Sequence, residues 1–138
     1  MIVDRARGNF SASELGCNCC GTIRVHEAFL DVMELLRERT RPLAMISCSR
    51  CQPHNLSVGG HKTSFHLIDN PKHLTQTIAG DINSGGWCDQ EKTEVYQVAK
   101  ELGLSMGLKE NAFHLDYREL VCLPQKVFFY GYTPEWFA

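Results

Sequence analysis

Two imidazoles and a carboxylate, His66 in VGGHKTSFH, Asp81 in TIAGDI and His114 in AFHLDY, are residue types that hold zinc in a catalytic site. There, three protein ligands leave one coordination position open for water or substrate. The adjacent glycines of VGGHKTSFH weaken helix and strand alike, so His66 is expected at the end of a loop. If AFHLDY is a strand, His114 and Asp116 point to the same face. Asp116 would then orient the ligand or accept a proton beside it. The same residues admit plainer readings. Asp81 could be a turn or cap residue, and His114, between Phe113 and Leu115, a core histidine. His26, on a predicted helix, and His54, His61 and His73, in polar loop sequence, read as surface or hydrogen-bonded residues.

Seven cysteines (17, 19, 20, 48, 51, 88 and 122) add a second possible chemistry. The number is odd, so at least one is unpaired within the chain. No apolar stretch follows the charged residues of the N-terminal sequence, so no signal peptide is expected, and reduced thiols are then the default. Cys88 and Cys122 read as buried small apolar residues. CNCC (17–20) together with Cys48 and Cys51 of CSRC would make a structural zinc site; free thiols or one disulfide are the alternatives.

These residues must be positioned by a chain of 138 residues, 43% hydrophobic and 22% charged. That is the length and composition of one soluble globular domain, 1–138, with a real core. A net charge of −2 and a pI near 6.3 give no broad electrostatic case for nucleic acid. No apolar run approaches the roughly 18 residues of a membrane span. The SASE sequence (11–14) has capping-box spacing. Residues 22–40 carry Ile23, Ala28, Phe29, Val32, Leu35 and Leu36 at three- and four-residue steps, which predicts an amphipathic helix. A short buried strand follows at 43–47, then a long irregular stretch from Ser49 to about Ile78, a length that in compact domains is usually functional. Residues 91–103 predict a second helix stopped by Gly103. Strands are expected near 104–108, 112–117 and 126–132. Helices and strands do not alternate regularly, so the fold class is α+β with a mostly antiparallel sheet and flanking helices.

In order, NFSASELGCNCCG, LRERT, LAMISCSR, Asn55, VGGHKTSFH, AGD and FHLDYR resemble the M15 zinc peptidases. These are the D-alanyl-D-alanine carboxypeptidases and related peptidoglycan peptidases, phage endolysins among them. The resemblance spans about Asn9 to Arg118. The family pattern runs S-G-Y-R, N-x-x-V-G-G, S-x-H-x-x-G-x-A-x-D, then H-x-D or H-x-H on a late strand. The resemblance implies the hedgehog/D-Ala-D-Ala-peptidase fold, with zinc (Zn2+) held by His66, Asp81 and His114. It also implies that Arg50 and Ser64 face a peptide substrate.

Three departures stand out. The step from His66 to Asp81 is longer than in the pattern, an insertion around DNPKHLTQ (69–76) that is expected to loop out at the mouth of the site; if it does not, His73 becomes a substitute ligand. Cys48 and Cys51 flank Arg50. The acid that many members carry three residues before the last histidine is replaced by Asn111, with Glu110 beside it. Asp116 and Glu110 are therefore the candidate catalytic carboxylates, Asp116 favoured. The expected activity is zinc-dependent hydrolysis of peptidoglycan stem peptides, by a D,D-carboxypeptidase or an endopeptidase. The protein would be made in the cytoplasm and act on the cell wall after phage- or prophage-type release. A non-catalytic zinc-bearing binding domain of the same fold is the alternative.

Overall fold

A computed structural model describes residues 1–131 and 133–137. Two short strands, β1 (Ile2–Val3) and β2 (Val25–His26), pair antiparallel. The main sheet holds five strands: β3 (Met45–Ser47), β4 (Ala79–Asn83), β5 (Ser105–Leu108), β6 (Ala112–Asp116) and β7 (Val127–Phe129). Their order is β3-β4-β6-β5-β7. The β3–β4, β4–β6 and β5–β6 pairings are antiparallel and β5–β7 is parallel, so the architecture is α+β around a mixed sheet. Among the described residues there are also four helices, α1 (Ala12–Leu15), α2 (Glu27–Arg39), α3 (Gln52–Ser57) and α4 (Asp89–Glu101), and a 3-10 turn at Arg118–Val121. Among the described residues no helix is long and apolar enough to cross a membrane.

The local signals explain most boundaries. Ser11 caps α1 through a reciprocal pair with Glu14, as its spacing predicts. Helix α2 begins at Glu27 rather than at residue 22, because Val25 and His26 are drawn into pairing with Val3 and Ile2. The His26 ring then accepts the Ala28 N–H as the helix cap. β3 is shorter and less buried than expected: Met45 is buried, but Ile46 faces solvent. The long stretch after it holds one short helix, α3, and otherwise turns. β4 has no match among the expected strands, because Gly80, Asp81 and Asn83 are poor strand formers. It pairs along its whole length with β6 and becomes an inner strand. β7 ends at Phe129, and Tyr132, the end of the strand expected there, lies outside the described residues.

The period-two alternation of β6 divides the molecule. Phe113 and Leu115 are fully buried in the core, with Phe29, Leu30, Met33 and Leu36 of α2 and Val95 and Ala99 of α4. Each such large apolar side chain contributes about 1.5–3 kcal/mol by leaving water. A side chain at Gly80 would press on Met45 and the Phe29 ring, so the absence of one lets α2 sit close on β4. Alternation turns His114 and Asp116 to the other face of β6, which carries the candidate site.

Candidate metal centre

Asp81 and His114 are Cα partners across the β4–β6 ladder. Such directly opposed side chains stand about 5 Å apart at Cβ, and His114 Nδ1 lies 3.1 Å from Asp81 Oδ1. His66 reaches the same oxygen from its loop, its Nε2 at 3.2 Å. The loop is tied down by the Arg50 N–H donating to the His66 carbonyl, by the Ile68 N–H donating to the Arg50 carbonyl, and by Thr77 Oγ1 donating to the His66 carbonyl. One donor atom from each of His66, Asp81 and His114 falls within a 4.8 Å cluster, and the three could hold a metal ion.

The outer partners fix which nitrogen faces the cluster. The Cys48 carbonyl lies 2.8 Å from His66 Nδ1. A carbonyl only accepts, so Nδ1 carries the hydrogen and Nε2 presents its lone pair. Asp116 Oδ2 lies 2.8 Å from His114 Nε2 and likewise takes that N–H, leaving Nδ1 toward Asp81. With both rings neutral, two imidazole lone pairs face one carboxylate oxygen, an arrangement that becomes attractive around a divalent cation or, in the zinc-free protein, around a proton on His114 Nδ1. Hydrogen bonds from ligand imidazoles to a carbonyl and a carboxylate are the usual outer shell of a zinc site.

The electrostatics agree. Burial alone would raise the Asp81 carboxyl, but the two imidazoles outweigh it and hold it well below the usual carboxylate range. Burial pushes the His66 pKa down. Burial also disfavours a charged His114, yet hydrogen bonds to Asp116 and Asp81 overcome it and raise its pKa to about 9. Asp116, fully buried, is gripped by Arg118 through two parallel bonds, Nε to Oδ1 at 2.9 Å and NH2 to Oδ2 at 2.8 Å.

A cleft of about 800 Å³ opens over the cluster. Arg50 and Ser64 both line it. Arg50 is held by neutral groups, NH1 donating to Asn55 Oδ1 at 3.1 Å and NH2 to Ser47 Oγ at 3.4 Å. Among the described residues it has no ion-pair partner, and its Nε is buried without a hydrogen bond. The adjacent glycines now have a reason. A Cβ on Gly60 would sit 2.0 Å from Asn55 Oδ1 and 2.9 Å from Arg50 NH1. Ser64 Oγ accepts the His66 N–H, bracing the ligand loop.

Other cleft residues carry no motif. Lys109, Lys126, Phe128 and Tyr130 form the wall beside β7. Gly107, opposite His114 in β5, makes room for that wall, since a Cβ there would lie 2.5 Å from the Phe128 ring. Tyr130 is pushed up to about 12, first by burial and then by the charges of Asp81 and Asp116. The period-two pattern of KVFFYGY was the available signal for Phe128 and Tyr130.

Neither candidate catalytic carboxylate is among the described residues that line the cleft. Glu110 is exposed at the turn between β5 and β6, where its carbonyl accepts from Lys92 Nζ, and it does not line the cleft. Asp116 lies behind His114, also outside the lining. Asp81 is the only carboxylate among the described lining residues. The segment 69–76 runs over the surface, organised by the buried Asn70, which donates to the Thr63 and Ser64 carbonyls and accepts the Lys72 and His73 N–H groups. His73 lines the cleft and packs on Phe65 at 5.3 Å between ring centres; it is not part of the group that could hold a metal ion.

No protein-family model matches the chain. No characterised protein and no solved structure matches it either. The residues themselves therefore carry the functional reading.

The cysteines are arranged differently from expectation. All seven are free. Cys88 and Cys122, expected to be buried, are exposed: Cys88 occupies the cap position of α4 and Cys122 the left-handed residue that ends the 3-10 turn. Cys17 and Cys48 are the buried ones. Cys17, Cys20 and Cys51 form a second group that could hold a metal ion; Cys48 is not part of it.

Proposed function

We propose that this chain is a zinc-dependent peptidase of the M15 type that hydrolyses peptidoglycan stem peptides, as a D,D-carboxypeptidase or an endopeptidase. The observation that carries the reading is the convergence of His66 Nε2, His114 Nδ1 and Asp81 Oδ1 at the floor of a cleft, with both outer imidazole nitrogens already committed. Zinc held there would supply Lewis acidity, polarising a peptide carbonyl and lowering the pKa of water. Phage- or prophage-type release would bring the protein to such a substrate.

The chain's own groups do the rest. Arg50, anchored by Asn55 and Ser47, offers its guanidinium to a substrate carboxylate, for which its planar fork is suited. Arg50, Lys109 and Lys126, against Asp81 as the one carboxylate among the described lining residues, favour an anionic ligand. Phe128 and Tyr130 give an apolar wall for the peptide side chains. Asp116 holds His114 in place and is no proton carrier, because it is buried and bound on both oxygens. His61 and His73 also line the cleft, and imidazole is the side chain most used for proton transfer.

A second reading, a zinc-bearing binding domain without catalysis, is favoured by one observation: among the described residues the cleft lining offers no carboxylate beyond Asp81 to serve as general base. Incubating the zinc-loaded protein with defined muropeptides and following products by mass spectrometry decides between them. Cleavage that is lost in His114→Ala supports the peptidase. Saturable muropeptide binding with no product at any time supports the binding domain.

A further inference from the structure

We propose that Cys17, Cys20 and Cys51 form a second, thiolate-ligated zinc site that fastens the N-terminal segment to the Arg50-bearing segment. Cys17 and Cys20 have the C-x-x-C spacing of a zinc half-site; the turn between them is closed by the Gly21 N–H donating to the Cys17 carbonyl at 2.8 Å. Gly21 has φ +75, a left-handed conformation that favours glycine. Cys51 comes from the other segment and brings its sulfur to 3.6 Å from Cys17 Sγ.

That separation discriminates between metal and disulfide. A disulfide needs sulfurs about 2.05 Å apart. Two thiolates on a tetrahedral zinc, each about 2.3 Å from the ion, lie roughly 3.8 Å apart. All three sulfurs fall within the 4.8 Å cluster. Cys17 Sγ also accepts the Cys51 backbone N–H at 3.4 Å. A backbone donor aimed at the sulfur suits a thiolate, which is the ligating form. Three protein thiolates leave a fourth position for an exogenous ligand on the side where Cys20 is exposed.

The location gives the site a consequence. Cys51 follows Arg50 directly and occupies the cap position of α3, the helix that carries Asn55, the anchor of Arg50. The same two segments are already joined by the Ser49 N–H donating to the Leu15 carbonyl and the Arg24 N–H to Ser49 Oγ. A metal across Cys17, Cys20 and Cys51 closes this seam beside the cleft.

Cobalt substitution of the reduced full-length protein tests it, because a thiolate–cobalt charge-transfer band reports sulfur ligation without reference to activity. Wild type should take up about two cobalt or zinc equivalents and show the band. His66→Ala should lose about one equivalent and keep the band. Cys17→Ser and Cys20→Ser should each lose about one equivalent and the band; Cys20, being exposed, gives a variant that folds even if Cys17→Ser does not. Absence of the band in reduced wild type overturns the proposal. So does a Cys17–Cys51 disulfide, mapped by mass spectrometry in protein purified without oxygen, that re-forms in the presence of zinc.

Discussion

His114 stands directly opposite Asp81 on neighbouring strands, and its two ring nitrogens touch two different carboxylates, Asp81 at 3.1 Å and Asp116 at 2.8 Å. The ring is therefore pinned between an aspartate that shares its proposed metal and an aspartate that orients it. Most of what can be measured about the site follows from that placement.

Zinc binding must displace a proton from His114. Burial disfavours the charged ring, but the hydrogen bonds to Asp116 and Asp81 raise its pKa to about 9, so near neutral pH it is protonated in the zinc-free protein. Zinc affinity should weaken as pH falls below about 9, with proton release on binding. Calorimetric titrations in two buffers of different ionisation enthalpy should give different apparent enthalpies; identical ones would contradict the assignment.

The same groups set the pH dependence of stability in the zinc-free protein. A raised His114 pKa contributes stability that is complete below the unfolded value of about 6.5 and is lost as pH rises through about 9. The depressed Asp81 and Asp116 pKa values contribute stability that is present above about 4 and is lost on acidification. The depressed His66 pKa removes stability as pH falls below about 6.5, so the Tm should peak near pH 6.5 and fall on both sides. A Tm still rising at pH 9 would show that His114 is not held charged.

Asp116→Asn tests orientation against catalysis. An amide can no longer fix the Nε2–H of His114 as strongly or neutralise Arg118, so zinc affinity measured by chelator competition should fall about 10- to 100-fold. Any activity should return at saturating zinc. Unchanged affinity with activity abolished would make Asp116 the proton carrier instead.

Gly60→Ala separates the Arg50 arm from the metal. The added carbon meets Asn55 Oδ1 at 2.0 Å and Arg50 NH1 at 2.9 Å, so it must push the guanidinium away. The cost should be about 1–3 kcal/mol of stability, as for other overpacked sites, with weaker peptide binding and unchanged zinc content at the His66 cluster. A wild-type melting curve and wild-type peptide affinity would refute the account of these glycines.

Much of this was legible in the residues, for identifiable reasons. The Ser11–Glu14 capping box, the apolar stripe of α2 and the alternation of β6 are local signals, and each produced the element it predicts. β4 was not legible, because a strand carrying Gly80 and Asp81 is stabilised by its neighbours rather than by its own residues. Cysteine burial failed similarly: Cys88 and Cys122 are exposed because one caps a helix and the other ends a turn. The C-x-x-C spacing of Cys17 and Cys20 was present in the chain, but its partner Cys51 lies 34 residues from Cys17 and is identified only by the fold. The cleft wall of Phe128 and Tyr130 depends on Gly107, whose role emerges only once β5 lies between β6 and β7.

The most direct test is zinc X-ray absorption on the Cys20→Ser variant, in which the thiolate group is broken and the histidine cluster is left intact. The variant should retain about one zinc with a nitrogen and oxygen shell at about 2.0–2.2 Å, showing the scattering signature of two imidazoles, and should lose that zinc on further His114→Ala substitution. A shell dominated by sulfur, or failure of the variant to retain zinc, would contradict a metal centre at His66, Asp81 and His114.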